Sequence, residues 1–118
     1  MHKLHLNAVP TLALNFNDLA ALRGIIRAYI TYTRRASRRT RERNEQIQVL
    51  ESLYLRMTNI PTNVPDIALL LSTAEVVALD CAIAGFCAFV RSKVPPSRER
   101  DETLQDVERM REVLARLQ

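Results

Sequence analysis

The chain has 118 residues, 47% apolar and 25% charged, with a formal net charge of +4. That length makes one domain with a real hydrophobic core. Two glycines and five prolines leave few turns, which argues against a strand-rich fold, and two glycines this far apart cannot form a phosphate-binding glycine loop.

The N-terminus, Met1 to Leu6, has no apolar core of signal-peptide length. The histidines, His2 and His5, stand three residues apart and would face opposite sides of a strand, so a solvated terminus is the better reading than a metal pair. Thr11–Asn15 alternates, with Leu12 and Leu14 on one face, and is expected to form a short strand. Asn15 then acts as an N-cap with Asp18 three residues on, a shorter version of the usual Glu. The first helix runs to about Arg35 on a stripe of Leu19, Leu22, Ile26, Tyr29 and Thr33, widened by Ile25 and Tyr32. Gly24 sits in its interior, where it costs about 1 kcal/mol against Ala, and close approach of another helix would explain it.

A turn is expected at 36–40, followed by a second helix from 41 to about 58, carrying Ile47, Leu50, Tyr54 and Met57. The prolines at 61 and 65 mark a linker. Asp66 to Leu71 should be the second strand, and its nearly continuous apolar run suggests that both faces are covered. Ser72 caps the third helix and Glu75 completes a capping box. From Ala74 to Val90 only Glu75, Asp80 and Gly85 interrupt the apolar run, so this helix should be buried on nearly every side. A membrane span here would carry Glu75 and Asp80 into the bilayer, each costing about 2.5–3.5 kcal/mol near its centre, which favours a core helix. Pro95 and Pro96 break it, and a fourth helix from 98 to 117 carries Leu104, Val107, Met110, Leu114 and Leu117.

These elements repeat. Leu71-Ser72, Glu75-Val76, Ala78-Leu79, Ile83, Phe86 and Phe89 match Leu14-Asn15, Asp18-Leu19, Ala21-Leu22, Ile26, Tyr29 and Tyr32 at a constant offset of 57 residues. Thr40-Arg41-Glu42-Arg43 is likewise matched by Ser97-Arg98-Glu99-Arg100. The expected fold is therefore mainly α: a strand–helix–helix unit present twice, at about 10–58 and 65–117, forming a four-helix bundle with a two-stranded ribbon in a single domain.

Chemistry is sparse. No Glu-x-x-His pair exists for a carboxylate metal centre, and no cofactor or small-molecule substrate is implied. Cys81 and Cys87 lie about 9 Å apart along one helix, beyond disulfide reach, so both should be reduced, as in a cytoplasmic protein. Asp80 replaces the Arg23 of the first unit, and Arg23 or Arg27 would be its ion-pair partner. Tyr29, Tyr32, Phe86 and Phe89 fall on the inner faces and should pack in the core.

Two functional readings follow. The first is a non-enzymatic protein–protein interaction or oligomerisation module, a homo-oligomer or a subunit of a larger assembly with no membrane contact. In it the small residues Ala78, Cys81, Ala82, Gly85 and Ala88 let another helix approach the third helix. The alternative is a sequence-indifferent DNA- or RNA-binding protein. It would use Arg34, Arg35, Arg38, Arg39, Arg41 and Arg43 at one turn and Arg91, Lys93, Arg98 and Arg100 at the other. About four neutralised phosphates would give a log–log salt slope of about −3 to −4.

Overall fold

The computed structural model describes residues 9–35, 40–61 and 63–117. In chain order the elements are β1 (Thr11–Asn15), α1 (Phe16–Arg35), α2 (Arg41–Thr58), β2 (Asp66–Leu70), α3 (Thr73–Lys93) and α4 (Arg98–Arg116). The fold is mainly α, with four helices and one two-stranded antiparallel sheet. The turn expected at 36–40 lies, apart from Thr40, outside the described residues.

Local chemistry sets the boundaries. Asn15 Oδ1 accepts from the Asp18 N–H at 2.8 Å, and the Asn15 N–H donates back to Asp18 at 3.4 Å. Ser72 and Glu75 make the same reciprocal pair at 3.1 and 2.8 Å. The return bond is shorter in the second box because Glu reaches one methylene further than Asp. Thr40 caps α2 by accepting from the Arg43 N–H, and Ser97 caps α4 by accepting from the Arg100 N–H.

The ribbon alternates strictly. Leu12, Leu14, Ile67 and Leu69 face the helices, while Thr11, Ala13, Ala68 and Leu70 face out. Sequence alone suggests that both faces of β2 are covered; the structure corrects this, since among the described residues nothing packs over its outer face and Leu70 is 56% exposed. The register pairs Leu12 with Leu69 and Asn15 with Asp66, and the Leu71 N–H extends the ladder to the Pro10 carbonyl at 2.8 Å. The end of β1 therefore lies beside the start of β2, and α1 and α3 leave opposite ends of the ribbon.

The two helices come together again further along, where Gly85 meets the Tyr29 ring and Tyr32 meets Phe89. Around them α2 packs on both α1 and α3, and α4 packs on α3. The core lies between the ribbon and these helices, with Leu22, Ile26, Leu50, Met57, Leu79 and Ile83 fully buried. Each such side chain contributes about 1.5–3 kcal/mol relative to exposure.

α3 is less enclosed than its composition suggests. Val77, Ala88 and Phe89 are exposed, because α1, α2 and α4 together do not surround it. By length and composition alone α3 could cross a membrane, a criterion that core helices of soluble proteins also meet.

Several side-chain interactions recur 57 residues apart. Arg34 pairs with Glu51 across the first hairpin, and Arg91 pairs with Glu108 across the second. Arg41–Glu45 on α2 is matched by Arg98–Glu102 on α4.

Candidate functional site

The face of α1 turned away from the core carries Gly24, Arg27, Ala28, Thr31, Tyr32 and Arg35, at steps of three and four residues. Together with Gly85, Phe86, Phe89 and Val90 of α3 it borders an open groove of about 780 Å³. Two placements shape this groove. Tyr29 lies half-buried at its floor, its hydroxyl donating to Gln46 Oε1 at 3.0 Å, and its ring fills the space that a side chain at Gly85 would need. Tyr32 and Phe89 stand over it with ring centroids 6.3 Å apart and planes tilted by 42°.

Tyr32 is 69% exposed and Phe89 47%. This corrects the expectation that all four aromatics are core residues. Tyr32 and Phe89 fall at the margin of the apolar stripe, where no second layer of the described residues covers them.

The groove is almost wholly apolar, and among the described residues only Arg27 and Arg35 of its lining are charged. Among the described residues neither has an ion-pair partner. Gly24 is open as well: a Cβ there would meet nothing within 4 Å. No helix of the described chain makes the close approach that sequence suggested for this glycine.

The small residues of α3 divide in two. Ala78 and Ala82 are buried inside the chain, at 3% and 0% exposure, and Gly85 is packed against Tyr29. Their small size serves packing within this chain; of the five, Ala88 is exposed and Cys81 and Gly85 are half-buried. Cys81 and Cys87 are both free thiols. Burial, then the Glu108 charge, pushes the Cys87 thiol above its ordinary value, and the charges of Arg91 and Arg111 oppose that shift.

The C-terminal ends of α1 and α3 converge, since Arg35 and Val94 border the same groove. Each leads into one of the two Arg-rich segments. Much of their charge is already neutralised: Arg34, Arg41, Arg91 and Arg98 each hold a carboxylate. Arg38 and Arg39 lie outside the described residues. Arg43 and Arg100 stand in the first turns of α2 and α4, and Lys93 closes α3.

Asp80 accepts from Arg111 Nε at 2.9 Å, so its partner is on α4 and not Arg23 or Arg27, as sequence suggested. The carboxylate in turn raises the Arg111 guanidinium above its ordinary value, first by hydrogen bonding and then by charge. Glu75, the one buried acid among the described residues, is held by Arg56 of α2 and by the Ser72 N–H. Sequence reasoning missed Arg56, which also donates to the Leu70 carbonyl and so ties α2 to the start of α3. Among the described residues no group of three His, Cys, Asp or Glu is placed to hold a metal.

No known protein family matches the chain, and neither does a curated protein or a solved structure.

Proposed function

We propose that this chain is a non-enzymatic protein–protein interaction module, built from two copies of one strand–helix–helix unit, that takes another helix across its α1–α3 face. The observation that carries the reading is the groove of about 780 Å³ beneath the exposed Tyr32–Phe89 pair. Exposed aromatics over a continuous apolar groove are what an interface core needs, since aromatic anchors supply most of the binding energy of typical interfaces. The duplication is supported by the register: Leu12 pairs with Leu69, its counterpart 57 positions on, as two related strands meeting about a local two-fold would. Tyr32 and Phe89 are also counterparts at that offset and also touch. Reduced thiols at Cys81 and Cys87 suit a cytoplasmic setting.

The reading is tested by panning a displayed library of amphipathic helices against the protein, with sedimentation of the free protein at tens of micromolar. Binders, or self-association, that are lost in a Tyr32→Ser/Phe89→Ser variant of unchanged helicity support it. A monomer that selects no helix sinks it.

The alternative, nucleic-acid binding, is favoured by the approach of the C-terminal ends of α1 and α3, which lead into the two Arg-rich segments. It would be weak and steeply salt-dependent, because phosphate contact needs charge and reach while no base-reading side chain is evident. Retention on mixed-sequence DNA or RNA at about 50 mM salt, lost on changing Arg38 and Arg39 to Glu, would favour it over the groove.

A further inference from the structure

We infer that the occupant of the α1–α3 groove is an acidic amphipathic helix of a different protein, a step that rests on the interaction reading above. Three observations converge on it.

Gly24 is a helix-interior glycine with no counterpart contact inside the described chain. It forgoes about 1 kcal/mol of helix propensity, and Ala28 lies one turn further along the same face. Two small residues one turn apart leave a slot into which the backbone of another helix fits closely. From Gly24 to Arg35 the slot spans eleven residues, about 16 Å or three helical turns. That length suits a docked helix bearing apolar anchors at i, i+3 or i+4, and i+7.

The charge on the rim selects the occupant. Among the described residues, Arg27 and Arg35 are the groove's only charged lining residues, and neither has an ion-pair partner. They stand eight residues apart, about 12 Å along α1. A helix lying in the slot would meet both with carboxylates seven or eight positions apart.

A second copy of this chain fits poorly. Its own groove carries no acid, so an isologous pairing brings arginine toward arginine with no carboxylate to separate them. Asp80 cannot serve, because Arg111 holds it.

Two synthetic eighteen-residue helices test the inference. Both carry leucines at the spacing above; one bears Glu at two flanking positions eight apart, the other Lys. Binding is read by fluorescence anisotropy at about 50 and 300 mM salt. The Glu peptide should bind at least about tenfold tighter than the Lys peptide, with the gap narrowing at high salt. Changing Arg27 and Arg35 to Glu should invert the preference. Gly24→Leu should block both peptides without unfolding the protein, as the new side chain points into open space.

Equal binding of the two peptides, blocked by Gly24→Leu, overturns the acidic inference while leaving the interaction reading standing. A dimer at tens of micromolar that Gly24→Leu dissolves also overturns it, because the groove is then covered by a second copy. No peptide binding by a monomeric protein overturns both.

Discussion

Arg111 donates to Asp80 at 2.9 Å, and 57 positions earlier the same two places hold a different attraction: the Arg23 guanidinium lies 5.8 Å from the Tyr54 ring centroid. Both pairs tie the first helix of a hairpin to its second helix, one by charge and one by cation–π contact. The positions match at the 57-residue offset while the chemistry differs, so under the proposed duplication the pairs should be transplantable.

Asp80→Arg alone sets two guanidinium groups against each other and should lower stability by about 1 kcal/mol. Adding Arg111→Tyr should recover most of that loss by recreating the first hairpin's pair. The coupling expected in a double-mutant cycle is about 0.5–1 kcal/mol, since both partners keep some exposure. Urea titration of the four proteins measures it, and an additive result would mean that the two hairpins are not equivalent here.

The two capping boxes should not be equally important. Glu75 is buried, accepts from the Ser72 N–H and holds Arg56, so Glu75→Ala removes the cap's return bond and the ion pair together. A loss of about 1–3 kcal/mol is expected. Asp18 is more exposed and its return bond is long, so Asp18→Ala should cost only about 0.5 kcal/mol, and Asp18→Glu should add a few tenths by closing that bond. Chemical denaturation at pH 7 would rank the three variants, and Asp18→Ala costing as much as Glu75→Ala would contradict the ranking.

Cys87 gives a pH dependence of definite sign. Its folded-state pKa is raised, so the folded chain holds the thiol proton more tightly than the unfolded chain does. The stability this contributes is full below the unfolded value of about 8.5 and is lost as pH rises through the folded value. The stability advantage of the wild type over Cys87→Ala should therefore shrink from pH 7 to pH 10. Alkylation at pH 8 should also modify the half-buried Cys81 well before Cys87. Equal rates at the two thiols would refute the assignment.

The elements themselves were legible in sequence because their signals are local. Asn15, Thr40, Ser72 and Ser97 each cap within three residues of themselves, and Pro95 and Pro96 break the chain wherever it packs. What was not legible depends on distant partners. Asp80 finds Arg111 thirty-one residues away, and Arg56 finds Glu75 across the linker; periodicity says nothing of either. The exposure of Tyr32 and Phe89 was hidden for the same reason: a pattern of apolar residues shows that they lie near an apolar face, but not that no described residue forms a layer beyond them. Small residues on α3 point to close packing, and only the tertiary arrangement separates the packing of Ala78 and Ala82 inside the chain from the exposed surface at Ala88.

The two glycines should respond to alanine in opposite directions. Both are in helix interiors, where the intrinsic gain from Gly to Ala is up to about 1 kcal/mol. At Gly24 the new methyl meets nothing within 4 Å, so that gain should appear almost undiminished as higher stability. At Gly85 it would come within 2.8 Å of Tyr29 Cε1 and 3.0 Å of Cδ1. Relief requires the ring to move, and the ring is held at its far end by the bond from its hydroxyl to Gln46. Overpacking of this kind costs about 1–3 kcal/mol, more than the propensity gain, so Gly85→Ala should be net destabilising. A Gly85→Ala/Tyr29→Leu double variant removes the obstructing ring and should regain part of the loss. If Gly24→Ala destabilises the isolated chain, or if Gly85→Ala stabilises it, then the packing of α1 against α3 described here is wrong at this crossing. If Gly24→Ala stabilises the protein and at the same time weakens binding of a helix in the groove, the glycine is kept for its partner and not for the fold.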